Sequence, residues 1–199
     1  MKAILKLLRP HQWAKNSFVF LPLFFNGKFT NLEFLFITII VFFVFSFAAS
    51  GIYCFNDILD AEKDKLHPIK RHRPIASGNI GKCSAFFIML ICFIISLLTI
   101  YFFSSYIKTH VYNLYWVIAI YILMNIFYCI KLKKMIIVDV FVIAIGFVLR
   151  IFAGGLATGI LLSHWLVLMT FLLALLLAFA KRRDDVVINA VYLKIIGMN

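Results

Sequence analysis

Long apolar runs separated by short polar stretches dominate this chain. Leu32–Phe55, Lys82–Phe103, Tyr112–Ile130, Met135–Ala153 and Leu161–Ala180 each approach the ~20 residues that a helix needs to cross ~30 Å of hydrocarbon. Ser17–Phe25 is a shorter run, with Pro22 inside and the turn signal Asn26-Gly27 after it. It reaches spanning length only when Trp13–Lys15 are included. Residues 1–15 (MKAILKLLRPHQWAK) read as a basic amphipathic arm at a membrane surface, with Trp13 as an interface anchor. No cleavable signal is expected, because the first apolar run is short and no small-residue cleavage site follows. The runs do not alternate apolar and polar residues as barrel strands would. The pattern predicts an all-α, polytopic membrane bundle of about six transmembrane helices.

Composition removes the soluble alternative. The chain is 64% hydrophobic and 14% charged, against roughly a quarter charged in soluble domains. The net charge of +12 could speak for nucleic acid, but topology accounts for it better, and no nucleic-acid partner is expected. With the N-terminus in the cytoplasm, six helices put seventeen of the twenty Lys and Arg residues on the cytoplasmic side. Lys28 and Lys108 fall outside, and Arg150 lies within a helix. A cell-membrane protein with both ends in the cytoplasm is therefore expected. The four cysteines, Cys54, Cys83, Cys92 and Cys129, lie in or beside apolar runs without CxxC spacing and read as small core residues.

One polar island interrupts this oily chain. Asn56–Gly78 (NDILDAEKDKLHPIKRHRPIASG) holds four of the eight carboxylates, Asp57, Asp60, Glu62 and Asp64, then a basic stretch with His67, Lys70, Arg71, His72 and Arg73. On a helix, Asp57, Asp60 and Asp64 fall within about 60° of one another while Glu62 points nearly opposite. Three like charges on one face repel, more strongly near a low-dielectric membrane. A hard cation such as Mg²⁺, held by one or two carboxylates together with phosphate oxygens, would relieve them. His67, Lys70, Arg71 and Arg73 could neutralise the rest of a pyrophosphate, Arg in bidentate fashion. His67-Pro68 and Arg73-Pro74 impose a non-helical course on this loop. An ordinary solvated charge run would interleave its signs, whereas here acids come first and bases after.

NDILDAEKD fits the NDxxDxxxD motif of the UbiA superfamily of intramembrane prenyltransferases. With HPIKRHRPIASG, RPHQWAKN (Arg9–Asn16), YCIKLKKMIIVDVFVIAIGFVLRIFAGG (Tyr128–Gly155) and AKRR (Ala180–Arg183), the chain resembles the decaprenyl-phosphate phosphoribosyltransferase branch. The resemblance implies a helical bundle around a cavity open to the cytoplasm and to lipid. It implies an enzyme that moves 5-phosphoribose from phosphoribosyl diphosphate onto a polyprenyl phosphate, with Mg²⁺ assisting loss of diphosphate. By motif position, Asn56, Asp57, Asp60 and Asp64 would hold Mg²⁺-diphosphate, Asp57 and Asp64 foremost. Lys15, Lys70 and Arg73 would bind phosphates, and Tyr128, Lys131 and Asp139 would form the opposing wall, with Asp139 joining the catalytic set.

Helical spacing adds a weaker reading of that wall. Asp139, Gly146 and Arg150 share one face within about 40°, with small Gly146 allowing close packing. An Arg inside an apolar span must be paired or line a wet cavity. Arg150 therefore either binds substrate or pairs with a scaffold carbonyl or hydroxyl. It lies about 16 Å from Asp139 along the axis, too far for direct pairing. Lys133 and Lys134 read as positive-inside residues.

The resemblance implies nine helices where about six are visible, and the tail VVINAVYLKIIGMN does not resemble the family's continuation. The expected organisation is an incomplete family domain over 1–183 and an atypical tail over 184–199. Two other functions stand beside the first. One is an aromatic prenyltransferase using a prenyl diphosphate. The other is an inactive remnant or small transporter, although a transporter would place its carboxylates near the bilayer midplane.

Overall fold

The computed structural model describes residues 2–107 and 111–195, without the side chains of residues 134, 136 and 185–195. The expected outer placement of Lys108, and the side chains of the tail beyond Asp184, lie outside the described residues. Everything described is helix or loop. The helices are α1 (Lys2–Leu8), α2 (Leu21–Phe25), α3 (Leu32–Leu66), α4 (Lys82–Phe102), α5 (Val111–Ile130), α6 (Ile136–Thr158) and α7 (His164–Ile195), with a 3₁₀ stretch, Pro10–Phe20, leading into α2. α7 runs without a break through the expected boundary at 183/184.

The bundle is built around α3. Asn31 caps its start, its side-chain oxygen accepting from the Glu33 and Phe34 backbone N–H groups, with Glu33 in the first turn to complement the helix dipole. Its 35 residues extend roughly 52 Å at 1.5 Å per residue, more than hydrocarbon requires. The last turns, with Asp57, Asp60 and Asp64, stand at one end of the bundle. His67, extended before Pro68, ends the helix (φ −89°, ψ 130°). α3 is the most enclosed of the long helices, 61% buried over its most apolar stretch against 17% for α7. α4 lies along it, with the Phe93 ring against Gly51 and the Ser96 hydroxyl donating to the Val44 carbonyl. Val44, Phe45, Ala48, Ile118, Tyr121 and Ala153 join α3, α5 and α6 in one core. Phe87, Trp116, Leu172 and Leu176 turn outward, as helices facing lipid tails do.

Among the described residues, five helices are long and apolar enough to cross a membrane, against about six expected. The difference lies in the first crossing, which is no standard helix. Pro10–Phe20 winds as 3₁₀ and α2 adds five residues. At ~2.0 Å per 3₁₀ residue and ~1.5 Å per α residue, the pair extends roughly 30 Å, against about 24 Å for an α-helix of the same length. Its ends fit that reach. Arg9, just before it, meets Asp57 at one end of the bundle, while Phe25 and Asn26 lie beside Ile160 and Leu161 at the other. The segment is bound along its depth. Trp13 Nε1 donates to the Ser50 hydroxyl, and Asn16 Nδ2 to the Ser46 hydroxyl. The Val19 carbonyl approaches Gly154 of α6 so closely that a Cβ there would stand 2.1 Å from its oxygen.

The four cysteines are free. Cys54, Cys92 and Cys129 are buried as expected of small core residues, whereas Cys83 is exposed at the start of α4.

Candidate active site

The acidic face of α3 forms the centre of the site, and each of its carboxylates draws a basic group from a different segment. Asp57, almost fully buried, has Arg9 Nη2 2.5 Å from its Oδ1. Arg73 Nη1 lies 3.2 Å from the same oxygen and 2.7 Å from Asp64 Oδ2, so one guanidinium bridges two turns of α3. Lys133, from the turn between α5 and α6, places its Nζ 2.7 Å from both oxygens of Asp60 and 3.3 Å from Asn56 Oδ1. Glu62, on the opposite side, pairs with Lys65 and Lys82 in the open. Buried carboxylates require such partners, because an unpaired buried charge costs several kcal/mol.

Arg9 adopts the left-handed conformation (φ 52°, ψ 57°) immediately before Pro10. This region is uncommon for non-glycine residues, and a proline further restricts the residue before it. The strain is held in place by the ion pair with Asp57 and by the Arg9 guanidinium lying over the Tyr53 ring, 5.1 Å from its centroid. Such local strain is characteristic of functional sites.

The opposing wall comes from α5, α6 and α7. Tyr128 donates from its hydroxyl to Asp139 Oδ1 at 2.7 Å, and Arg182 of α7 bonds Asp139 Oδ2. With Lys133 and Lys181 these residues line a cleft of about 220 Å³. Lys133 belongs to both halves, touching Asp60 and lining the cleft, so the island adjoins the second wall.

The remaining expected residues divide by environment. Lys15, Lys70 and Lys131 are exposed. His67 shapes the basic loop, its Nδ1 accepting from the backbone N–H groups of Ile69 and Lys70. Arg150 takes the scaffold alternative. It is buried, bonding Asn16 Oδ1 through Nε at 2.8 Å, the Gly146 carbonyl through Nη1 at 2.7 Å and the Tyr121 hydroxyl through Nη2 at 3.1 Å. The rings of Phe45, Tyr121 and Phe147 surround it.

The metal expectation needs a correction of form. Among the described residues, no three carboxylate, His or Cys side chains are grouped to hold a metal ion. Asp60 turns to Lys133, and Asp57 and Asp64 share Arg73. The oxygens still suit Mg²⁺, which needs only one or two carboxylates when phosphate oxygens complete its shell. Asp57 Oδ2 is buried without a hydrogen-bond partner, an open lone pair beside Asp64 of the kind a hard cation takes.

Sequence reasoning missed three site residues. Arg9 stood inside a motif already noted, but no spacing rule ties it to Asp57. Lys133 read as a topological charge, and Arg182 stood only within the AKRR string. Their common signal was excess positive charge at one end of the helices, which does not identify partners.

The chain matches the model of the UbiA prenyltransferase family over residues 17–191. It is 36% identical over 190 residues to the decaprenyl-phosphate phosphoribosyltransferase of Corynebacterium glutamicum, covering 94% of this chain and 55% of that protein. It is 34% identical over 186 residues to the protein of the same name from Mycolicibacterium smegmatis, covering 92% of this chain and 56% of the relative. Its fold is similar to that of a UbiA homolog from Archaeoglobus fulgidus solved with DMAPP and Mg²⁺, with a TM-score of 0.68 at 19% identity, over 86% of this chain and 60% of that one. The chain thus spans little more than half the length of the curated relatives it matches.

Proposed function

Since this chain belongs to the UbiA prenyltransferase family, we propose that it is a membrane transferase moving 5-phosphoribose from phosphoribosyl diphosphate onto a polyprenyl phosphate. The observation that carries the proposal is the double clamp at the end of α3, where Arg9 and Arg73 converge on Asp57 and Asp64 and leave Asp57 Oδ2 unpartnered. A site that alternates carboxylates with guanidiniums suits a diphosphate accompanied by a divalent cation. The identity to phosphoribosyltransferases over most of the chain favours phosphoribosyl diphosphate as donor.

Asp57 and Asp64, with Asp60 at the edge, would hold Mg²⁺, which when bound supplies charge neutralisation to a departing diphosphate. The chain's own groups do the rest. Arg9 and Arg73 hold the two carboxylates in register and keep further N–H donors for phosphate oxygens. Lys70 and Lys131 stand exposed at the rim, where they add positive potential along the approach of an anionic donor. Tyr128 and Arg182 fix Asp139, so the second wall presents a defined polar surface. The excess of basic residues at this end of the bundle supports a cytoplasm-facing site in the cell membrane, with the N-terminus on the same side.

Membranes containing the chain, given ribose-labelled phosphoribosyl diphosphate and a polyprenyl phosphate, should yield labelled lipid only with Mg²⁺ present. Asp57→Asn and Asp64→Asn should each abolish it. Product arising instead from a prenyl diphosphate and an aromatic acid would overturn the assignment of donor.

A further inference from the structure

We propose that Ser50 is a positioning residue for the transfer: its hydroxyl holds the turn from Leu8 to Pro10 so that Arg9 reaches Asp57. The proposal rests on the transferase reading of the clamp and names the group that sets one of its two guanidiniums.

The direction of the Ser50 hydroxyl leads to it. Serine and threonine inside a helix commonly bond back to the carbonyl four residues earlier. Thr38 and Ser46 of α3 do so, donating to the Phe34 and Phe42 carbonyls. Ser50, one turn further on and fully buried, donates instead to another segment. Its Oγ bonds the Leu8 carbonyl at 2.8 Å and accepts from Trp13 Nε1 at 3.0 Å. One hydroxyl thus ties both sides of Arg9 to α3, the residue before it and the residue four positions after it.

The Leu8 carbonyl needs that donor. α1 ends at Leu8, and the last carbonyls of a helix have no partner within it. Pro10 has no N–H to offer, and the Gln12 N–H, four residues past Leu8, goes to the Arg9 carbonyl at 2.9 Å. Without Ser50, the Leu8 carbonyl and the Trp13 N–H would both lose a partner. Arg9 is left-handed (φ 52°, ψ 57°), which is unfavourable for a residue other than glycine and more so before a proline. The ion pair with Asp57 opposes its relaxation from the side-chain end, and Ser50 opposes it from the backbone end.

Spacing along α3 matches this attachment to the length of an arginine. Ser50, Tyr53 and Asp57 stand at i, i+3 and i+7, on one face of the helix and about 10 Å from first to last. That face meets Arg9 in three places. Ser50 holds the backbone beside it, the Tyr53 ring centroid lies 5.1 Å from its guanidinium carbon, and Asp57 Oδ1 takes its Nη2 at 2.5 Å. Held at both ends, the side chain keeps its remaining N–H donors in one orientation toward phosphate oxygens. A displacement of ~1 Å at such a group is of the size that costs on the order of 100-fold in rate.

The test uses the full chain in lipid nanodiscs, with Mg²⁺-phosphoribosyl diphosphate as the probe and Ser96→Ala as the matched control. Ser96 is also a fully buried serine, and it donates to the Val44 carbonyl, a bond in which Arg9 has no part. Each alanine removes one buried hydroxyl and should lower the unfolding temperature by a similar amount, about 2–4 °C. Ser50→Ala should in addition weaken the donor about tenfold, the loss of one charge-assisted contact, while Ser96→Ala leaves it unchanged. In an Arg9→Gln background, Ser50→Ala should weaken the donor no further, because the group it positions is gone. Equal donor affinity for Ser50→Ala and Ser96→Ala, or additive losses of affinity in the double variant, would overturn the assignment. Unfolding of the same chains reads the coupling without a substrate, since Ser50→Ala and Arg9→Gln together should cost less than the sum of each alone. If the unaltered chain bound no donor, coupled unfolding losses would leave Ser50 as the residue that positions Arg9 and would remove the phosphoribosyl reading, whereas additive ones would overturn both.

Discussion

Replacing Gly154 by alanine asks whether the 3₁₀ segment positions the site. A Cβ on Gly154 would stand 2.1 Å from the Val19 carbonyl oxygen and 3.0 Å from its carbon. Restoring ordinary contact requires a retreat of roughly 1.4 Å, since non-bonded heavy atoms are best separated by ~3.5 Å or more and repel steeply when much closer. The obstacle is backbone, so no rotamer change relieves it. The segment must move, against bonds from Asn16 to Ser46 and Arg150 and from Trp13 to Ser50. Overpacking of this kind costs roughly 1–3 kcal/mol, offset by up to ~1 kcal/mol of helix propensity gained by alanine. A net loss of about 1–2 kcal/mol is expected. The functional effect should be larger, because Arg9 and Lys15 ride on the displaced stretch and a ~1 Å misplacement can cost on the order of 100-fold. Gly51→Ala is the matched control, since its Cβ would meet the Phe93 ring at 2.4 Å, a side chain that can turn aside. Thermal unfolding and affinity for Mg²⁺-phosphoribosyl diphosphate, measured on both variants in nanodiscs, decide the matter. If Gly154→Ala matched Gly51→Ala in donor affinity, the positioning role of the segment would be refuted.

Four further outcomes follow from the same geometry. Arg73→Gln leaves Asp57 and Asp64 without their shared partner and should destabilise the fold by roughly 3–5 kcal/mol, as broken buried pairs do; adding Asp64→Asn should recover part of the loss in an unfolding titration. Lys133→Met leaves Asp60 without its partner in a pair whose side chains are only 22% and 21% exposed, so the fold should lose roughly 1–3 kcal/mol while lipid labelling falls at least tenfold, roughly one charge-assisted contact. Arg150→Lys loses the fork that bonds three neutral acceptors and should cost about 2 kcal/mol at ~0.6 kcal/mol per intramembrane bond; a double-mutant cycle with Asn16→Ala should show coupling, and additivity would contradict the contact. Chelation of divalent metal should abolish donor binding and Mg²⁺ should restore it, which calorimetry before and after chelation would read.

The apolar runs disclosed the long helices because crossing hydrocarbon demands both length and composition, and those constraints are written locally. The acidic face was equally legible: Asp57, Asp60 and Asp64 do share a side of α3, and Glu62 does point away. The 3₁₀ winding of Pro10–Phe20 was hidden, because it is set by contacts with Ser46, Ser50 and Gly154, residues remote in sequence. The partners of the carboxylates were hidden for the same reason. Arg9 lies 48 positions from Asp57 and Arg182 lies 43 from Asp139, and no local periodicity connects them. Repulsion along the acidic face was anticipated, but Arg9, Arg73 and Lys133 of the chain itself relieve it. Arg150 had two readings at the outset, and only the fold could reveal Asn16 and Tyr121 beside it.

The central claim is that the clamp at the end of α3 releases diphosphate while ribose passes to a lipid phosphate. A donor carrying one label in the ribose and another in the diphosphate tests it most directly, with membranes containing the full chain, Mg²⁺ and a polyprenyl phosphate. The ribose label should enter the lipid, the diphosphate label should remain in the aqueous phase, and Asp57→Asn should stop both movements together. Lipid that gained the diphosphate label, or ribose transfer that survived Asp57→Asn, would contradict it.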